Sequence, residues 1–343
     1  MSIRGSLNEG KLMALRFVEI FIPVEKEAEL FELLNSFEPV TIVQKETSEQ
    51  LLHTKLLLNT EHTEELMDRL EGRFANTENF RIVIVAVQAT IPRIETPPGK
   101  PQSRKIKFAR ISREELYHDI LEASHLSWLF TTMVALSSIV AAIGLARDNT
   151  AAVIGAMVIA PLLGPNVALS LASALGDFDL AKNARKANLV GILLPLCLAA
   201  MFGMLMPLDI DGSEILSRTQ IGFLDIVLAL AAGIAGTLSF TMGLPGAIIG
   251  VMVAVALLPP LVTCGMLLGC GQWQPAMNAG LLFGVNLICV NLAGVVTFLV
   301  QGVRPLWWWD KEKAHKATRR AIITWLICLA VLALLILATN WQS

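Results

Sequence analysis

Seven apolar stretches dominate the chain, at about 125–146, 150–174, 188–206, 222–241, 246–269, 279–301 and 321–339. A helix rises about 1.5 Å per residue, so roughly 20 residues cross a hydrocarbon core of about 30 Å. Each stretch meets that length, and together they predict an all-α membrane domain of seven spans. Charge is distributed accordingly. Residues 1–120 hold 16 of the 27 Lys and Arg and 19 of the 29 Asp and Glu, whereas residues 125–303 hold five and seven. A polar segment of about 100 residues therefore precedes an apolar one of about 220. This pattern excludes a secreted disulfide scaffold, a disordered chain and an ordinary soluble enzyme. A net charge of −2 gives no reason to expect a nucleic-acid partner.

Basic residues orient the spans. Five stand before the first span (Arg104, Lys105, Lys107, Arg110, Arg113), three in the loop 175–187 (Lys182, Arg185, Lys186) and six in the loop 302–320. The opposite side has only Arg147 and Arg218, beside the acidic Asp209, Asp211 and Glu214. The expected topology is N-terminus cytoplasmic and C-terminus outside, in a prokaryotic inner membrane. Trp307, Trp308 and Trp309 stand where an interfacial aromatic belt is expected. The opening MSIRGSLNEGKLMAL lacks the apolar core of a signal peptide, so the polar segment is expected to stay on the side where it is made.

Within that segment, strand-like runs at 16–22, 40–44, 51–58 and 80–91 alternate with helical stripes at 25–37 and 61–74. The order βαββαβ predicts a ferredoxin-like split unit over residues 1–92. A Pro-rich linker follows, with an amphipathic juxtamembrane helix at 113–123, whose start carries Ser112 and Glu115 at capping-box spacing; together they cover 93–124. Spans one to six then occupy 125–303, and a basic loop with the seventh span occupies 304–343. His53 and His62 are read as surface residues.

Spans two and five align without gaps at an offset of 95 residues. Ile154-Gly-Ala-Met-Val-Ile-Ala-Pro-Leu-Leu-Gly-Pro165 lies over Ile249-Gly-Val-Met-Val-Ala-Val-Ala-Leu-Leu-Pro-Pro260, with seven of twelve positions identical. The same offset joins Gly176 to Gly271 and Asn183 to Asn278. Spans one to three and four to six thus read as two copies of a three-span unit. An odd number of crossings makes the copies face opposite ways, as inverted repeats of transporters do.

Pro161, Gly164 and Pro165 in span two, and Pro259 and Pro260 in span five, predict that both helices are broken. Unpaired backbone in hydrocarbon must be buried in protein or face a cavity. The breaks are therefore the expected substrate path, lined by Asn166, Ser170, Thr263, Asn286 and Asn291, with Thr237, Ser239 and Thr241 as further groups in span four. Ionisable residues (His125, Arg147, Asp148, Asp177, Asp225) stand at span edges, which argues against a coupling site built on a buried carboxylate. Asp148 and Asn149 are expected to cap span two.

The five cysteines show no CxxC and no metal-ligand spacing, so neither metal nor cofactor is expected. No HExxH, GxSxG or mid-span aspartate pair is present, so no catalytic residue is assigned and no enzyme is expected.

The run Ile143-Gly-Leu-Ala-Arg-Asp-Asn-Thr-Ala-Ala-Val-Ile-Gly-Ala-Met-Val-Ile-Ala-Pro-Leu-Leu-Gly-Pro165 resembles the signature of a bacterial and archaeal membrane family. That family is the "uncharacterised hydrophobic domain" group, domain-of-unknown-function family three-eight-nine. The resemblance covers spans one to six, and the opening Arg16-Phe-Val-Glu-Ile also resembles relatives. It implies a prokaryotic inner-membrane protein with an N-terminal soluble domain, and carries no substrate or site residue with it. In architecture alone, the repeated three-span unit resembles aquaporins and formate–nitrite channels.

These readings converge on a channel or transporter for a small anion or neutral polar solute. It would sit in the lipid bilayer as a homo-oligomer, with a cytosolic regulatory or oligomerisation domain. The alternative is a membrane-anchored sensor or scaffold whose N-terminal domain binds a ligand or partner.

Overall fold

The computed structural model describes residues 15–35, 41–47, 50–87, 111–243 and 246–303, with Ile323, Trp325, Ile327 and Ala330 beyond them. Pro245, the Trp307–Trp309 cluster and most of the expected seventh span lie outside the described residues. The chain divides into two compact units, residues 1–115 and 116–343.

In the first unit, β1 (Leu15–Pro23), α1 (Glu27–Asn35), β2 (Thr41–Thr47), β3 (Leu51–Asn59), α2 (Thr60–Phe74) and β4 (Arg81–Val87) follow one another. The strands form one antiparallel sheet in the order β2-β3-β1-β4, with Ile20 opposite Thr54 and Phe17 opposite Val85. Strict alternation sends Val18, Ile20 and Ile22 of β1, and Leu52, Leu56 and Leu58 of β3, to one buried face. There they meet Leu30, Leu33 and Leu34 of α1 and Leu66, Met67, Leu70 and Phe74 of α2, spaced at three and four so that each helix shows one apolar stripe. Ser112 Oγ accepts from Glu115 N at 3.2 Å, the first half of the expected capping box. The Glu115 carboxylate pairs instead with Arg16 Nε at 3.0 Å.

From α3 (Arg113–Ala123) onward the chain is helical: α4 (Trp128–Ala146), α5 (Thr150–Ile159), α6 (Leu163–Leu175), α7 (Phe178–Leu205), α8 (Ser213–Leu216), α9 (Phe223–Thr241), α10 (Gly246–Gly269) and α11 (Trp273–Val300). Among the described residues, α4, α7, α9 and α11 are each long and apolar enough to cross a bilayer. The α5–α6 pair, bent by 53° at its break, makes a fifth candidate. Their outer faces agree with a membrane protein. Leu224, Val227, Leu228 and Ile234 form an exposed apolar stripe on α9, and Leu129, Leu136, Ile139 and Ile143 do the same on α4. Of the four long apolar helices, α11 is the most buried within the unit and α7 the least.

Two expectations are corrected. The loop 175–187 is not a loop: α7 begins at Phe178, and Lys182, Arg185 and Lys186 project from its exposed first turns. Asp177 makes this start possible, its Oδ1 accepting from Asp179 N (2.9 Å) and Leu180 N (3.0 Å). The second correction concerns span five. Helix α10 runs without interruption from Gly246 to Gly269 through Pro259 and Pro260. Pro260 removes the amide that would bond Ala256 O, and the Asn286 side chain of α11 replaces it, Nδ2 donating to that carbonyl at 2.8 Å.

The helix bounds repeat at the offset found in the sequence. A shift of 95 residues carries Trp128–Ala146 onto Phe223–Thr241, and Phe178–Leu205 onto Trp273–Val300. It also carries the left-handed Gly176 (φ 71°) onto Gly271 (φ 78°). Both glycines close a helix the same way: Asp177 N bonds Ala172 O at 3.0 Å, and Gln272 N bonds Leu267 O at 2.9 Å.

Candidate site at the broken second span

Pro161 sets the break. The ring disfavours helical backbone in the preceding residue, and Ala160 is extended (φ −69°, ψ 115°). Helix α6 restarts at Leu163, so Pro165 falls in its first turn, where an amide would have no helical partner anyway. Gly164, beside it, lies against α3: a Cβ there would stand 2.1 Å from Ala123 O. Asn188 of α7 steadies the same turn, its Nδ2 donating to Pro165 O at 3.0 Å.

Beyond the break, Asn166 and Ser170 lie one turn apart on the face of α6 that meets α11. Both are buried. Asn166 Nδ2 donates to Leu162 O at 2.8 Å, and its Oδ1 accepts from Asn291 Nδ2 at 3.0 Å. Asn291 Nδ2 spends its other proton on Leu287 O at 2.8 Å, which fixes the amide's orientation. Ser170 Oγ then stands 3.0 Å from Asn166 O, 3.1 Å from Asn291 O and 3.3 Å from Asn291 Oδ1. Gly294 gives this cluster its room. The Cβ it lacks would lie 2.6 Å from Ser170 Oγ and 3.1 Å from Thr237 Oγ1 of α9.

The same crossing occurs in the other half, where a Cβ on Gly265 of α10 would meet Ala199 of α7 at 2.7 Å. Under the 95-residue shift, Ser170 and Gly294 correspond to Gly265 and Ala199. The polar groups do not repeat. Asn166, Ser170, Thr237 and Asn291 correspond to Leu261, Gly265, Ala142 and Leu196. The crossing therefore packs without polarity in one half and carries four polar side chains in the other.

The structure thus brings Asn166, Ser170 and Asn291 together, with Pro161, Gly164 and Pro165 at the adjoining break. Pro259, Pro260 and Asn286 form a separate group, Asn286 being five residues from Asn291 on α11 and turned to α10 instead of α6. Thr263 is buried in α10 with no hydrogen bond, and the Asn286 Oδ1 has none either. Asn188 and Gly294 were not singled out in the sequence. An amide 23 residues from Pro165 carries no local signal, and Gly294 is one glycine among 24.

The edge residues serve the helix ends. Asn149 caps α5, its side chain accepting from Ala152 N at 3.1 Å. Asp148 does not share that role. In the left-handed region (φ 49°), it accepts from Glu214 N (2.7 Å) and Ser213 Oγ (2.9 Å), tying the α4–α5 turn to α8. Those hydrogen bonds hold its carboxyl below the ordinary carboxylate value. The buried Glu214 accepts from Thr150 Oγ1 at 2.5 Å and pairs with Arg218 at 3.0 Å. Tyr117 of α3 donates to Asp177 Oδ2 at 2.8 Å, and burial, followed by that bond, pushes its pKa up to about 12.

The break and its polar cluster lie within residues 157–292, which match the family model described as "Domain of unknown function (DUF389)". An uncharacterized protein of Methanocaldococcus jannaschii is 34% identical over 325 residues, covering 95% of this chain and 99% of that protein. No solved structure matches the chain. With a relative of this identity over nearly the whole of both chains, the protein belongs to the DUF389 family.

Proposed function

We propose that this protein is a multi-pass inner-membrane channel or transporter for a small anion or neutral polar solute, with its path at the break of the second span. The supporting observation is the placement of that break. The half-helix α6 carries buried Asn166 and Ser170 onto Asn291 of the other repeat, while the equivalent crossing is apolar. A fold that needed only a kinked packing helix would have no use for that asymmetry, because buried polar groups are costly and their apolar counterparts pack the same crossing. The shared offset of helix bounds, caps and glycines supports two inverted copies of a three-span unit, and the bias of Lys and Arg supports an N-terminus inside. The strand order and βαββαβ sequence of the first unit support a ferredoxin-like fold, to which we assign a regulatory role.

The test is flux into liposomes holding the full chain, with a panel of small anions, cations, urea and glycerol. Selective flux that is lost in Asn166→Leu/Asn291→Leu, which copies the apolar half, is the expected result. Equal flux in that variant, or none for any solute in the parent, would sink the reading.

A second reading, a ligand sensor, draws on the first unit. A cavity of about 450 Å³ opens there between Pro23, Lys26, Gln50, Thr77, Glu78 and Asn79. That volume suits a small polar ligand. Ligand binding by the full chain that Lys26→Ala removes, together with no flux of any solute, would favour this reading over the first.

A further inference from the structure

The polar cluster behind the break is crowded with oxygens and short of protons. Asn291 Nδ2 spends both of its protons elsewhere, on Asn166 Oδ1 and Leu287 O. Ser170 has one hydroxyl proton for three oxygens, Asn166 O, Asn291 O and Asn291 Oδ1. When it takes the ordinary back-bond to Asn166 O, Asn291 Oδ1 and the hydroxyl's own lone pairs are left facing other acceptors. Thr237 adds a further oxygen from α9. It is 1% exposed, and its Oγ1 has no hydrogen-bond partner.

Among the described buried hydroxyls of this unit, only Thr237 and Thr263 lack a partner. Ser137 and Ser138 return their protons to Val134 O, Ser239 to Gly236 O, Thr241 to Leu238 O and Thr297 to Ala293 O. Such back-bonding is the ordinary resting place of a hydroxyl on a buried helix. Thr237 instead stands beside the same Gly294 position as Ser170 Oγ, at 3.1 Å and 2.6 Å from the missing Cβ. Two helices, α6 and α9, thus turn hydroxyl oxygens toward one glycine of α11.

We infer that Ser170 Oγ, Thr237 Oγ1, Asn291 Oδ1 and the Asn291 carbonyl form a binding site for a dehydrated monovalent alkali cation. Oxygen lone pairs that face one another repel, and a cation at their centre turns that repulsion into attraction. Neutral carbonyl and hydroxyl oxygens replace the hydration shell of a monovalent ion in membrane proteins. Divalent ions need carboxylates to offset their charge, and none of the three residues has one. Gly294 is part of the site, since any side chain there would occupy the space between the hydroxyls. The absence of a mid-span carboxylate therefore leaves open a cation-coupled cycle of another construction. The site goes beyond the proposed path and is read by equilibrium binding, so it stands or falls separately from solute flux.

The experiment is thermal unfolding of the full chain in detergent, with choline chloride replaced by lithium, sodium or potassium chloride at constant ionic strength. One of the alkali ions is expected to raise the midpoint by about 3 °C or more in a saturable manner. Thr237→Val and Ser170→Ala should each remove that increment, and Thr263→Val, which alters an unpartnered buried hydroxyl on α10, should keep it. In choline alone, Thr237→Val should be at least as stable as the parent, because it deletes an unsatisfied hydroxyl without changing shape. Binding of radiolabelled sodium or rubidium to the parent supplies a second readout that needs no variant. Equal midpoints in all four salts would overturn the site, as would an increment that survives Thr237→Val; an ordered water in place of the cation would give the first of these results.

Discussion

Asn286 of α11 donates its side-chain amide to Ala256 O of α10 at 2.8 Å, and Ala256 O is the carbonyl that Pro260 deprives of its helical partner. One residue thus repairs, across a helix interface, the defect that another creates. Replacing Asn286 by Leu leaves that carbonyl unsatisfied in an apolar interior and should cost about 1–3 kcal/mol. In a Pro260→Ala background the residue-260 amide can return to Ala256, so the cost should shrink. A double-mutant cycle on unfolding midpoints checks this; strict additivity would contradict it.

The close crossing of α7 and α10 depends on bare backbone. A Cβ on Gly203 would lie 2.1 Å from Met266 O, and one on Gly269 would lie 2.0 Å from Ala200 O. Neither neighbour is a side chain that can swing away, so Gly203→Ala and Gly269→Ala must push the helices apart. Loss of monodisperse protein on size exclusion, or a drop of about 3 kcal/mol or more, is expected for each. Gly155→Ala meets nothing within 4 Å and should be neutral or gain a few tenths of a kcal/mol from helix propensity.

Gly271 tests conformation without crowding. Its φ is 78°, and a Cβ there would meet no atom within 4 Å. Gly271→Ala should therefore cost about 1–2 kcal/mol from backbone strain alone, and Gly271→Asn less, since Asn tolerates the left-handed region. Equal midpoints for the Ala and Asn variants would show that the turn rearranges.

Tyr117 gives the second unit an alkaline signature. Its folded pKa is raised to about 12, above the ordinary value of 10.0, so the folded state holds the proton more tightly than the unfolded chain does. The stabilisation is fully present below pH 10.0 and is lost as the pH climbs toward about 12. Tyr117→Phe removes the bond to Asp177 and should lower the midpoint at neutral pH. The gap to the parent should narrow above pH 10.0, because only the parent has this proton to lose. A gap that stays constant from neutral to strongly alkaline pH would rule out this linkage.

Much of this was legible along the chain. The 95-residue offset read from Gly176 and Gly271 reappears as matched helix bounds and matched left-handed caps, because local features such as proline, glycine and capping residues act within one or two turns. The break at Pro161 was legible for the same reason. So were β1 to β4 and α1 to α3; in β1, β3, α1 and α2 a period of two or of three to four residues marks the buried face directly.

Tertiary structure decided what depends on a neighbour. Two prolines inside an apolar stretch predict a broken helix, yet α10 is continuous because Asn286, 26 residues after Pro260, supplies the missing donor. Sequence could list Asn166, Ser170, Asn286 and Asn291 as polar residues in spans, but their division into two groups follows from which helix each face of α11 meets. Thr237 gains its importance only beside Gly294, through the absence of a side chain there. Backbone propensity and hydrophobic period are written in each segment alone, whereas the partner of a buried polar atom is chosen by packing, and packing joins residues that the chain keeps far apart.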